Sequence, residues 1–214
     1  MKFWAVVVLI AIFSVSCKKK TETYIVSGMV SDISDGHAVS GLNVEIQAKL
    51  IGTSVYQSSF STLASGTTDA NGNFSITFNK EKATVFRIRT SGVNYFTTEH
   101  EFSPDLLENG NYTQNVQVAA YGWINLRVIN QLPSDPSDEI TIKYYNIPAC
   151  LVSPCSSEIF YFEGLADDTI PTCFVPGGFE LLIEKRTHIG SDYFHSFDTV
   201  QIPVNDTLVH YIQF

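Results

Sequence analysis

Cations are scarce in this sequence: 13 lysines and arginines stand against 22 aspartates and glutamates, a formal charge of −9 over 214 residues. A nucleic-acid partner needs clustered cations along its phosphates, and the only cluster here is Lys18-Lys19-Lys20, so nucleic acid is excluded. Long apolar runs are missing too. Residues 3–13 are an unbroken apolar stretch of 11, against about 20 for a spanning helix, and no later segment is apolar for long enough. Amphipathic helical periodicity is also absent, which leaves strands as the building material. No Gly-x-Ser-x-Gly pattern frames a nucleophilic serine. Of the histidines His37, His100, His188, His195 and His210, only His188 and His195 stand where they face each other, across Gly190-Ser191, and a metal there needs Asp192 or Asp198 as a third ligand. Solvent-facing hairpin histidines are the simpler reading. Asp32, Asp35, Asp69 and Asn71 lack the spacing of an EF-hand and read as turn residues. The sequence therefore predicts no catalytic centre, no metal and no cofactor.

The start of the chain is basic, Met1-Lys2, and its apolar run ends at Ser14-Val15-Ser16-Cys17. This resembles a bacterial lipoprotein cleavage site, with Ser14 where that family usually carries a larger aliphatic residue. The resemblance implies a signal peptide over 1–16, a lipid on Cys17 and a tether over 17–22, with the three lysines near anionic headgroups at about 1 kcal/mol each. A plain secretory signal with a free Cys17 is the alternative, and both readings put the body outside the cytoplasm. Without Lys2 and the tether lysines, nine cations face 22 acids, so the body carries −13. Such a compartment permits disulfides among Cys150, Cys155 and Cys173. Pro154 favours a turn that brings Cys150 and Cys155 together, which leaves Cys173 as a lone buried thiol; in the alternative, Cys173 pairs with either and staples the loop to the strands that follow.

From residue 24 onward the pattern alternates with period two, broken by turn residues every eight to twelve positions. Over 43–50, Val44, Ile46, Ala48 and Leu50 share one face, with Asn43, Glu45, Gln47 and Lys49 on the other. Asp69-Ala-Asn71-Gly72 forms a tight turn into Phe74, Ile76 and Phe78. Further strands are predicted at 84–90, 93–102 and 112–119. Val26-Ser-Gly28-Met-Val30-Ser-Asp32, Asp35-Gly36, Val39-Ser-Gly41-Leu-Asn-Val44 and Thr68-Asp69-Ala-Asn71-Gly72-Asn-Phe74-Ser-Ile76 resemble the carboxypeptidase regulatory-like (transthyretin-like) β-sandwich family over about residues 24–119. The resemblance implies a seven-stranded Greek-key sandwich without a catalytic centre, of the kind appended to peptidases, outer-membrane transporters and Bacteroidetes lipoproteins. The connection 51–65 is longer than the family's and reads as an extra hairpin or a mobile loop.

A new alternating strand begins at Tyr121-Gly122-Trp123 with no flexible linker before it, dividing the body into 23–119 and 120–214. After it, strands are predicted at 139–145, 158–162, 169–175, 179–185, 196–204 and 207–214. Fold class is thus all-β, two tandem antiparallel sandwiches. With Ile140, Ile142, Tyr144, Phe160 and Phe162 turned inward, Tyr145, Ile159 and Tyr161 are left on an outer face, and Tyr193-Phe194 extends it. Either the first sandwich or the Cys150–Cys155 loop covers these rings, or they form a binding patch. The triplets at Thr169, Thr199 and Thr207, each following an aspartate and preceding an aliphatic residue, resemble the O-glycosylation acceptors of Bacteroidetes exported proteins.

These readings converge on a non-enzymatic, lipid-anchored envelope protein, a structural or protein-interaction module on the outer membrane facing the periplasm. Its membrane contact is the lipid, and its partner is another envelope protein or a glycan. The alternatives are a surface accessory protein that binds carbohydrate or peptide and, more distantly, a hydrolase with an unrecognised site.

Overall fold

The computed structural model describes residues 22–52, 58–131, 136–146, 158–164, 167–170 and 172–214, with only the backbone considered at 167–169. Cys17, Cys150 and Cys155 lie outside the described residues, and with them the lipidation site and the expected disulfide pair. No helix among the described residues is long and apolar enough to cross a membrane.

The first sandwich is built from β1 (Thr23–Asp32), β2 (Asn43–Leu50), β3 (Ser61–Thr67), β4 (Asn73–Asn79), β5 (Ala83–Gly92), β6 (Tyr95–Phe102), β7 (Asn111–Thr113) and β8 (Val116–Val118). One sheet has β1 at its centre, antiparallel to β4 and parallel to both β7 and β8, which lie end to end along it. The other runs β3-β2-β5-β6. Alternation decides which side chains meet between the sheets: Val26 and Val30 from β1, Phe74, Ile76 and Phe78 from β4, Val44, Ile46 and Ala48 from β2, Phe86 and Ile88 from β5. The stretch expected as a hairpin or mobile loop contributes β3, paired to β2 through a bulge at Ile46/Gln47, while 53–57 lie outside the described residues.

The single strand expected over 112–119 is two, and Gly28 is the reason. A Cβ there would lie 1.8 Å from the Gln114 carbonyl oxygen. Only glycine lets the chain come so close. The Gln114 N–H donates to the Ser27 carbonyl (2.9 Å) and the Met29 N–H donates to Asn115 Oδ1 (3.1 Å), so side chain and backbone together bridge the break.

The second sandwich consists of β9 (Tyr121–Ile129), β10 (Glu139–Tyr145), β11 (Ile159–Glu163), β12 (Asp167–Thr169), β13 (Cys173–Pro176), β14 (Glu180–Ile189), β15 (Asp192–Gln201) and β16 (Thr207–Gln213). Here β9 is central, parallel to β16 on one side and antiparallel to the short β12 and β13 on the other, while the second sheet runs β11-β10-β14-β15. If each split strand is counted once, both halves have the order 4-1-7 in one sheet and 3-2-5-6 in the other. The chain thus contains one topology twice. In both copies the strands pair antiparallel except the last, which closes the Greek key by returning parallel to the first.

Two stretches of the second half differ from the sequence expectation. The single strand expected over 169–175 is β12 and β13, on either side of Ile170. The hairpin β14–β15 is longer than the expected 179–185 and 196–204, turning only at Gly190 (φ +60°), because the ladder carries the strands past the apolar core that marks them in the sequence.

Between the halves, Ala119 and Ala120 are buried and the backbone is stitched on both sides: Phe96 N–H to the Ala119 carbonyl (2.9 Å), Tyr121 N–H to that of Asn94 (2.8 Å) and Gly177 N–H to that of Ala120 (2.9 Å). Phe96 meets the Tyr121 ring edge-on at 4.6 Å and the Phe174 ring at 5.7 Å, a small third core across the junction.

Candidate binding face on the second sandwich

Alternation along β10 sends Ile140, Ile142 and Tyr144 into the core and Glu139, Thr141, Lys143 and Tyr145 outward. Register then extends the outer row across the sheet: Thr141 stands between Tyr161 on β11 and Arg186 on β14, and Arg186 is opposite His195 on β15. One row along, Glu139 stands between Glu163 and His188, and His188 opposite Tyr193. Tyr145, Ile159 and Tyr161 share this face as expected and are 36, 61 and 53% exposed; Tyr193 joins them at 77%. Phe194 is in register with Thr187, so its side chain starts from the opposite side of the strand, although it contributes to the rim of the same groove.

The floor of the face is polar. Glu184 is only 5% exposed, and both of its oxygens are engaged: Oε1 accepts from Arg186 Nε (2.9 Å) and Nη2 (2.7 Å) and lies 2.8 Å from His195 Nε2, while Oε2 accepts from the Tyr145 hydroxyl (2.9 Å). The Arg186 hydrogen bonds hold its carboxyl below the ordinary value of 4.5 against the opposing effect of burial. Glu139 accepts from the Tyr161 hydroxyl and lies 3.5 Å from His188 Nδ1; the first of these bonds raises the Tyr161 phenol well above its ordinary pKa. His188 and Tyr193 stack with centroids 4.1 Å apart and planes 2° apart. Lys143 Nζ lies 4.9 Å over the Tyr145 ring.

Two adjoining hollows lie over this floor. One, of about 470 Å³, is bounded by Glu139, Arg186, His188, Tyr193 and His195 among others; the second, of about 220 Å³, by Lys143, Tyr145, Ile159 and Glu184. Thr141 and Arg186 border both. Sequence reasoning found the rings of β10, β11 and β15 and weighed His195 only as a metal ligand, but missed Lys143, Glu184, Arg186 and Phe197, which stands opposite Glu184 with its ring 4.9 Å from that of His195. The signal was there as alternation over 182–188 and 193–199, hidden because neither face of that hairpin segment is uniformly apolar.

The equivalent face of the first sandwich is closed. Arg87 donates to Gln47 Oε1 through Nε (3.0 Å) and Nη2 (2.6 Å) and to Glu99 through Nη1 (2.6 Å), and Arg89 joins Glu45 to Glu99. The Phe60 ring carries Arg87 at 3.8 Å and Lys49 at 4.7 Å.

His188 and His195 do not oppose each other; their register partners are Tyr193 and Arg186. Asp198 faces the other way, bonded to Lys185 (2.6 Å) and His210 (3.2 Å); burial pushes its pKa up, and the hydrogen bonds and charges of these two partners together bring it below the ordinary value. Among the described residues no group of three His, Cys, Asp or Glu could hold a metal. Thr199 and Thr207 are exposed, on β15 and β16, and Thr169 lies in β12. Cys173 is disulfide-bonded, which corrects the lone-thiol reading; it opens β13 beside Ile124, half-buried against the second core.

Neither a protein-family model nor a curated protein matches the chain. Solved structures that align with it include the Bacillus anthracis TIE protein (14% identity, 89% of this chain and 34% of that one, TM-score 0.38), the shaft pilin SpaA from Lactobacillus rhamnosus GG (9%, 90% and 97%, 0.34) and a streptococcal ancillary pilin (14%, 91% and 63%, 0.36). The chain spans about a third of the length of the first of these. Likeness at this level carries no argument about function, and the sandwiches are read from their own strands and cores.

Proposed function

We propose that this chain is a non-enzymatic binding module of a bacterial cell envelope, anchored by lipid on Cys17, whose partner docks on the outer face of β11-β10-β14-β15. The observation that carries the reading is the contrast between two topologically equivalent faces. Both carry ion pairs, but on the first sandwich the Phe60 ring lies over Arg87 and Lys49, whereas on the second two hollows are left between exposed rings. Rings gathered on an exposed face mark an interaction surface more often than they serve stability.

Four further features support the setting. The Ser-Val-Ser-Cys17 resemblance supports the anchor, and lysines rather than acids after Cys17 support a periplasmic side. The motif resemblance of residues 24–119 supports an appended module without chemistry of its own. The buried junction at Ala119–Ala120 supports a structural part in the role, since it fixes the second sandwich relative to the first. The test is co-sedimentation of the full chain, in detergent, with native envelope fragments. Tyr161→Ala with Tyr193→Ala is expected to weaken retention on the order of thirty-fold, while thermal stability moves by only a few degrees, as exposed substitutions do. Unchanged retention would remove this face from the function.

A further inference from the structure

Resting on that reading of the face, we infer that its occupant is a neutral oligosaccharide. The rings are fixed by polar anchors rather than by burial. Tyr161 is held through its hydroxyl by Glu139 and Glu163, and Tyr193 lies flat on His188, so each ring keeps exposed surface while its orientation is set in advance. Pre-set rings lose little freedom on binding, and the apolar C–H face of a pyranose packs on such a surface. The rims run from β11 to β15, three strand spacings or roughly 14 Å, the scale of a short oligosaccharide rather than of one sugar.

The floor distinguishes this occupant from a protein. Between the rims stand Lys143, Glu184, Arg186 and Glu139, four ionised groups at the centre of the patch, where protein interfaces are depleted in charge. An apolar partner surface pressed there would strip water from groups it could not satisfy. Sugar hydroxyls both donate and accept. Lys143 Nζ, whose one partner among the described residues is the Tyr145 ring, and Arg186, which spends Nε and Nη2 on Glu184, retain donors for them; the carboxylates retain lone pairs. Charge excludes the acidic sugars. Three glutamates, Glu139, Glu163 and Glu184, share the face with Lys143 and Arg186, on a body that is itself strongly acidic. A polyuronate or a phosphorylated chain is repelled as it approaches.

The experiment is isothermal titration of the full chain, in detergent, with cellohexaose, xylohexaose, laminarihexaose and maltohexaose, and with polygalacturonate and poly-glutamate as controls. The expected result is a Kd below about 1 mM for at least one neutral hexasaccharide. That affinity should weaken about ten-fold or more in each of Tyr161→Ala and Tyr193→Ala, with the thermal transition of each variant measured alongside. Phe60→Ala, on the closed face of the other sandwich, should leave it unaltered. Absence of binding to all four neutral probes, preference for polygalacturonate or poly-glutamate, or binding indifferent to the two tyrosines overturns the inference. If the sugars fail while envelope retention still depends on Tyr161 and Tyr193, the sugar class falls and the docking face stands; if retention fails as well, both fall.

Discussion

Replacing Gly28 by alanine puts a methyl carbon 1.8 Å from the Gln114 carbonyl oxygen and 2.7 Å from its carbon, both backbone atoms that no rotamer change moves. Something must shift by more than an ångström. The segment that yields is the break between β7 and β8, which is tied to β1 by the Gln114 N–H to Ser27 bond (2.9 Å) and the Met29 N–H to Asn115 bond (3.1 Å). Overpacking costs about 1–3 kcal/mol, and two lost hydrogen bonds add about 1 kcal/mol each, for a total of roughly 3–5 kcal/mol. A single domain has only about 5–15 kcal/mol in hand. At about 4–8 °C per kcal/mol for a domain of this size, differential scanning calorimetry should show the first sandwich melting at least about 12 °C lower. Gly36→Ala is the control: nothing lies within 4 Å of its Cβ, so only its φ of +77° is disturbed and the cost stays near 1–2 kcal/mol. A Gly28→Ala shift no larger than the control's would show that the break at 114–115 does not depend on the glycine.

Three other outcomes are expected. Cys17→Ser should move the chain from the membrane to the soluble fraction, because acyl burial contributes about 0.8 kcal/mol per methylene; retention in the membrane pellet refutes the anchor. Phe96→Ala removes the 4.6 Å contact with Tyr121 and the 5.7 Å contact with Phe174, at a cost of about 3–5 kcal/mol, and small-angle scattering should then report a wider spread of orientations between the sandwiches; an unchanged profile refutes the junction's role. The Glu184 carboxyl has a lowered pKa in the folded chain, so its contribution to stability is complete above the ordinary 4.5 and disappears as pH falls through the lowered value. A carboxyl-carbon NMR titration should therefore give a midpoint below 4.5, and one at or above it contradicts the Arg186 hydrogen bonding.

Alternation made much of this legible. Val44, Ile46 and Ala48 are buried as a set, as are Phe74, Ile76 and Phe78, and Tyr145, Ile159 and Tyr161 share an outer face, because a strand allows its side chains only two directions. What stayed hidden depends on residues distant in the chain. The split of β7 from β8 follows from a glycine some 85 positions earlier. The Arg186, His195 and Tyr145 partners of Glu184 come from three strands, and a glutamate between Ile183 and Lys185 gives no local sign that it is covered. The repeated topology was equally unreadable, since connection lengths and pairing create it while the two sets of strands share no recurring motif.

The parallel return of the last strand in each half has a mechanical consequence. The chain enters the first sandwich at the start of β1 and leaves it at the end of β8, two strands that point the same way and are bonded along their lengths. The second sandwich repeats the arrangement with β9 and β16. Tension applied between the two ends of the body therefore slides these strands past each other and loads all their cross-bonds at once, instead of peeling them open singly. Because β8 passes into β9 through only Ala119 and Ala120, the two shear-loaded elements stand in series with no slack between them.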